Sequence, residues 1–401
     1  MSSALRFSVN VLFIKQSCRR QLAAGLRGWI GIAVRRAGSS LRKRKSRANM
    51  LNACKRASRT ISPILCFLFL LPAIGRGQQA NEQISAATAR LKQTLSTLKI
   101  PDDLKSSDDP IKAYTDALKV SEEALRSGYV YLALFRLESN WEAVMAFQYC
   151  NSKAELEKKG IAAFEKEWRA AGKLVAEKER QIASNSSKPL PAAVRAIVES
   201  GWNQARPYYD SSKLYGISST INSGLYYMGS AIAGLDFALF CQQLRFDTLR
   251  PALKLRSLEP EIKGLETATI EAFRSVGADT DQSPFYSTSS NLKAAEEMNR
   301  AGHFSGALLK YLEASLYFGF INPAPTDVSR LPDLKQQSES LGARLTAADI
   351  DHSIGLIYWE RAQFALGRAA AGEAVELNLR RASVLLEQVL PRYFKYTGES
   401  K

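Results

Sequence analysis

Residues 110–134 read PIKAYTDALKVSEEALRSGYVYLAL, and residues 284–308 read PFYSTSSNLKAAEEMNRAGHFSGAL. A shift of 174 residues lays one stretch on the other without a gap. Nine of the 25 columns are identical: Pro110/Pro284, Leu118/Leu292, Lys119/Lys293, Glu122/Glu296, Glu123/Glu297, Arg126/Arg300, Gly128/Gly302, Ala133/Ala307 and Leu134/Leu308. Just ahead of the match, Asp109 falls on Ser283, so each copy opens on a helix-capping residue followed by proline. Each copy then breaks at the same glycine, the residue that most readily takes the left-handed conformation closing a helix. The pattern predicts a helix, a tight turn and a second helix in each copy, a duplicated hairpin.

The surrounding sequence agrees with an all-α body. Ile84, Leu91, Leu95 and Leu98 recur at spacings of seven, four and three, the stripe of an amphipathic helix. No run of alternating β-branched residues signals a strand. A charged helix is expected over Lys153–Ile182, and Thr346–Asp349 has the form of a capping box. Three polar or proline-rich stretches, Ser184–Pro191, Gly277–Ser290 and Asn322–Pro332, punctuate the chain. They suggest helical blocks over 78–184, which holds the first hairpin copy, 192–276, which is rich in tyrosine, and 277–401, which holds the second copy.

The second copy carries a family resemblance. Ala295–Ala314 resembles a tetratricopeptide hairpin, with Gly302 as the turn glycine, Phe304 just after it, and Ala307, Leu308, Tyr311 and Ala314 at the small and large positions of the second helix. The first copy keeps Gly128, Ala133, Leu134 and Leu137 but has Asn140 where a small apolar residue belongs. The closing proline is missing from both, and no tandem 34-residue period appears. The resemblance implies a helical-repeat body of the kind that binds proteins.

Charge is partitioned sharply. The chain carries 55 Lys and Arg against 39 Asp and Glu, a net charge of +16. Sixteen of the basic residues and none of the acids lie between Met1 and Gly77, so the remainder is balanced at 39 each. A nucleic-acid-binding body needs a basic face, and this composition gives no reason to expect one. Within the basic leader, Ile61–Gly75 is uncharged, too short for a comfortable membrane span and the right length for the core of a secretory signal. Lys55, Arg56 and Arg59 precede it, and Gly75 and Gly77 offer small residues for cleavage before Gln78. Residues 50–77 are therefore expected to be a signal peptide. Residues 1–49 then form a basic extension, either a misplaced start or a targeting segment. The body is expected outside the cytoplasm, periplasmic or secreted. The alternatives are a membrane anchor through 61–75 if the signal is uncleaved, or a mitochondrial address if Met1 is the true start.

Chemistry-bearing patterns are sparse. There are two histidines, His303 and His352, and no metal-ligand spacing is evident. Asp349 and His352 are expected as a surface pair. Cys150 and Cys241 lie in apolar segments and read as buried free thiols, with a disulfide between them, in an oxidising compartment, as the alternative. No cofactor motif appears. Asp236 is the one charge in the most apolar segment, Asn222–Cys241, and is the best single candidate for a site acid. An enzymatic reading would require it, or Glu138 with Glu142, to converge in a cleft. Trp202, Arg206, Tyr208, Tyr215 and Tyr226 crowd the middle block and form the candidate ligand or partner surface. The leading expectation is an exported, non-enzymatic helical-repeat protein that acts as an interaction or scaffold module for a protein partner. The alternative is a periplasmic binding protein that holds a small or saccharide ligand on the tyrosine-rich block.

Overall fold

The computed structural model describes residues 78–105, 110–276, 281–321 and 327–398; the leader and its predicted signal lie outside them. Among the described residues every regular element is a helix. In order these are α1 (Gln78–Ser96), α2 (Pro110–Arg126), α3 (Val130–Ser152), α4 (Glu155–Lys159), α5 (Ile161–Ser184), α6 (Ala192–Ser218), α7 (Ile221–Cys241), α8 (Glu259–Ser275), α9 (Ser283–Arg300), α10 (Phe304–Gly319), α11 (Leu331–Ala347), α12 (Ser353–Ala370), α13 (Val375–Val384) and α14 (Leu390–Thr397).

The duplicated stretches fold alike. Gly128 and Gly302 both take φ of +78°. In each turn the residue after the glycine donates its N–H back to the carbonyl five residues earlier: Tyr129 to Ala124 at 2.9 Å, His303 to Met298 at 2.9 Å. This is the Schellman closure, which satisfies carbonyls a helix end leaves bare. A third such turn, at Gly372, joins α12 to α13, with Glu373 N–H on the Arg368 carbonyl. Equivalent apolar positions are buried in both copies, Leu118 with Leu292, Ala133 with Ala307 and Leu134 with Leu308.

The equivalence extends to how each hairpin is capped. Neither Tyr129 nor His303, at the start of the second helix, offers a side-chain cap. Instead Glu360 of α12 accepts the Leu132 N–H at 2.7 Å, and Glu199 of α6 accepts the Gly306 N–H at 2.7 Å. Leu132 and Gly306 are the same position under the 174-residue shift. Asp351 does similar work elsewhere: one carboxylate oxygen accepts the Ser353 N–H at the start of α12, the other accepts the Ala192 N–H at the start of α6.

Helix α7 sits at the centre, packed against α3, α5 and α6. It is long and apolar enough to cross a membrane, yet two thirds of its most apolar window is buried inside the body. Small residues allow this crowding. A Cβ on Gly229 of α7 would lie 2.8 Å from the Ala146 Cα of α3, and one on Gly201 of α6 would lie 2.9 Å from the Gly234 carbonyl oxygen. One core cluster takes residues from all three predicted blocks, from Ile84 to Tyr396.

Several local expectations are corrected. The charged helix breaks at Gly160, where φ is +76°, and so divides into α4 and α5. The predicted linker Gly277–Ser290 is already helical from Ser283. Pro207 lies inside α6. Thr346 is in the last turn of α11, donating to the Gly342 carbonyl, and Asp351 takes the capping role expected of Asp349. Residues 242–258 form a strap with no regular structure, pinned by Arg250, whose guanidinium donates at 2.7 Å to the Thr346 and Ala348 carbonyls at the end of α11.

Replacing Gly229 by Ala should force α7 away from α3 and cost about 1–3 kcal/mol in urea unfolding. The control Gly367→Ala, where nothing lies within 4 Å, should be neutral or stabilising by up to about 1 kcal/mol.

Candidate functional site

Helices α3 and α10, the second helices of the two hairpins, carry charged side chains that act on one another across a polar seam. One end of the seam is acidic. Glu138 and Glu142, four residues apart on α3, share a helix face and are half-buried. Burial pushes the Glu138 carboxyl up to about 7; Lys310 of α10 opposes the rise and Glu313 adds to it. Burial first, then the neighbouring Glu138 charge, raises Glu142 to about 7 as well, against Lys310 and a hydrogen bond from the Tyr208 hydroxyl. Sequence reasoning named this pair only as a condition for an enzyme. The structure does bring the two together, with Lys310 and Tyr208 as companions the sequence did not reveal.

Tyr208 leads into a run of rings. Its ring lies 6.0 Å from Tyr227, which stacks on Tyr215 at 4.4 Å with planes 9° apart. Tyr226 lies edge-on to Tyr227 at 6.0 Å and packs on Phe147 at 4.8 Å. All four tyrosines are half-buried, so each keeps an edge toward solvent. The predicted surface is therefore only partly assembled. Tyr208, Tyr215 and Tyr226 come together, and Tyr227 joins them. Trp202 instead packs on the His303 ring at 5.2 Å, and Arg206 pairs with Glu179.

The other end of the seam is basic. Arg361 of α12 donates to Glu313 of α10 at 2.8 Å, and both side chains are about nine-tenths buried. Burial opposes the Arg361 charge, and Glu313, with Tyr317 and Tyr358, more than restores it. Arg136 of α3 is different. It makes no ion pair or side-chain hydrogen bond among the described residues, and its Nε is both sealed from solvent and without a partner. Burial, and then the nearby Arg361 and Arg381 charges, push its guanidinium down to about 9. Arg381 of α13 falls to about 10 through burial and Arg361, with Tyr317 working the other way.

The remaining candidates are structural. Asp236 is not a buried acid: its side chain is 38% exposed and pairs with Lys178. His352 is not on the surface beside Asp349 but buried, its Nδ1 at 2.8 Å from the Tyr393 hydroxyl. Cys150 and Cys241 are free and buried, and burial pushes the Cys150 thiol up to about 12. Among the described residues no group of His, Cys, Asp and Glu is arranged to hold a metal ion. An open depression of about 990 Å³ lies between Ile100–Lys105, Pro110 and Cys150–Glu157.

Neither a protein-family model, nor a curated protein, nor a solved structure matches the chain.

The acidic end sets a pH dependence with a definite sign. Both carboxyls titrate higher in the folded chain than the ordinary 4.5, so the fold favours their protonated forms. That stability is full below about pH 4.5 and is lost as pH rises through about 7. The double variant Glu138→Gln/Glu142→Gln should match the wild type near pH 4.5 and exceed it at pH 8, by on the order of 2 kcal/mol. Thermal or urea unfolding at several pH values checks this; a difference that does not change with pH would refute it.

Proposed function

We propose that the chain is an exported, non-enzymatic, tetratricopeptide-like protein that holds a protein partner against its tyrosine face. The observation that carries this reading is the half-exposed run Tyr208–Tyr227–Tyr215, which ends on the Glu142 carboxylate. Rigid aromatic rings supply contact area at little conformational cost, and tyrosine hydroxyls tolerate a wet rim. The adjacent carboxylates favour a partner segment that brings a lysine or arginine beside an apolar side chain. The resemblance of both hairpins to an interaction repeat supports the same class of function. The basic leader and its apolar core support export, with the mature body beginning near Gln78. As a second reading, the near-parallel Tyr215–Tyr227 pair favours a small or saccharide ligand on the same face.

A photo-crosslinking amino acid in place of Tyr215 should give discrete protein adducts in the native compartment. The same amino acid at Ile270, an exposed residue of α8, should give none. Adding Tyr208→Ser and Tyr227→Ser should abolish the Tyr215 adducts. Equal adducts at both positions, or none at Tyr215, would overturn the protein-partner reading, and a tyrosine fluorescence change on titration with oligosaccharides would replace it with the second. Amino-terminal sequencing of the exported protein should begin at or near Gln78; a chain retaining residue 1 removes the signal-peptide assignment.

A further inference from the structure

Helix α5 carries a row of cations that neither the core nor the tyrosine face uses. Lys166, Arg169, Lys173 and Arg180 are exposed, and none has an ion-pair partner among the described residues. Arg180 only returns its Nε to the Ala176 carbonyl of its own helix, at 3.3 Å. At about 100° and 1.5 Å per residue, the four lie within an arc of about 60° and span about 21 Å. The buried residues of α5, Phe164, Ala171, Val175 and Ile182, lie on the opposite side of the helix. The acid closest to the row in phase, Glu177, already accepts from Gln181 at 3.2 Å. Residues 78–401 are balanced in charge, so the row is a local segregation and not part of a general excess.

The exposed surface continues from this row onto α6. Glu165 lies about 40° beyond Arg169 in phase, on the flank of α5 that meets α6. It pairs with Lys213 at 3.6 Å, and farther along the hairpin Glu179 pairs with Arg206. The helices run antiparallel, so the end of α6 meets the start of α5: a Cβ on Gly216 would strike the Phe164 ring. At that shared end both helices expose aliphatic side chains, Ile161 of α5 with Leu214 and Ile217 of α6, each about half exposed. Ile217 lies within about 40° of Lys213 around α6, whereas Tyr208 and Tyr215 are about 140° or more away, on the other flank. We propose that the cation row of α5, with the adjoining end of α6, is a docking surface for a bilayer that carries anionic phospholipids. The unpaired cations complement a negative planar surface, and each adds to attraction within a Debye length of it. Ile161, Leu214 and Ile217 decide the kind of polyanion. Burying them at the acyl boundary of a bilayer is favourable, and a phosphate backbone or an acidic chain offers them no apolar phase. The surface is separate from the tyrosine face and does not rest on it.

The test is flotation of the processed protein, recovered after export so that the basic leader is gone, with vesicles of phosphatidylglycerol and phosphatidylcholine or of phosphatidylcholine alone. The mixed vesicles should carry the protein and the neutral ones should not, and salt at about 0.5 M should release it. Lys166→Gln/Arg169→Gln/Lys173→Gln/Arg180→Gln should weaken binding about tenfold or more, since each cation at the anionic surface contributes. Lys99→Gln/Arg126→Gln/Lys254→Gln/Lys335→Gln removes the same charge from exposed, unpaired positions elsewhere. It should change binding by less than about twofold, because charges away from the contact are screened. Ile161→Ser/Ile217→Ser should weaken vesicle binding several-fold at an unchanged unfolding temperature. Retention of the leader would end the export reading alone; the difference between variants, measured on the full chain, still reports on the row. Equal binding to neutral vesicles, or equal losses in the two charge variants, would overturn the proposal. So would a protein that binds polyglutamate or duplex DNA as tightly as the mixed vesicles and is indifferent to Ile161→Ser/Ile217→Ser.

Discussion

The fold depends on an exchange of buried carboxylates between distant helices. Glu360 closes the start of α3, and Glu199 closes the start of α10, at positions that correspond under the duplication. A helix start buried without a cap leaves several N–H groups unmet, each with the cost of an unpaired donor. The carboxylates that meet them are themselves desolvated. Burial holds Glu360 up at about 8 even though the Leu132 and Tyr131 N–H groups act to lower it, and Glu199 is raised for the same reason. Each hairpin is thereby tied to a helix from the other part of the chain, the first to α12 and the second to α6. A solenoid whose repeats touch only their neighbours in sequence has no such ties. The hairpins here share a core and are capped across it.

The local turn was legible in the sequence, because its cause is local. Gly128 and Gly302 take positive φ, and the residues four and five positions before them carry the helix. The caps were not legible, since the glutamates arrive from 228 and 107 residues away and no local residue announces them. Where a local signal existed it misdirected: Thr346 and Asp349 had the spacing of a capping box, whereas the carboxylate that caps is Asp351, two residues on, serving two helices at once. The all-α class followed from periodicity. The strap over 242–258 did not, because the carbonyls that Arg250 holds belong to α11, nearly a hundred residues later.

The partial assembly of the tyrosine surface has a simple geometric cause. At about 100° per residue, Tyr208 and Tyr215 lie within about 20° of each other around α6, while Trp202 and Arg206 project from the far side. Crowding in sequence placed all of them together, and helical phase divides them. Tyr227 and Glu142 complete the face from α7 and α3, helices whose packing on α6 is set by the tertiary structure. Phase could have separated the first set from sequence alone; it could not have supplied the second.

The seam between the hairpins shows where duplication was kept and where it was abandoned. Arg136 and Lys310 occupy the same position in the two copies, 174 residues apart. Each basic group acts on acids of the opposite helix, Arg136 on Glu313 and Lys310 on Glu138 and Glu142. Had the two ends stayed equivalent, the seam would be a closed set of reciprocal pairs. Glu313 is instead drawn to Arg361 by a direct bond, and that bond leaves Arg136 without one. At the other end Glu138 and Glu142 outnumber Lys310, and the surplus is relieved by protonation near neutral pH. A guanidinium has no such relief, because even at about 9 the Arg136 group stays charged at pH 7. The acidic end can shed its charge near neutral pH, and the basic end keeps its charge throughout the physiological range.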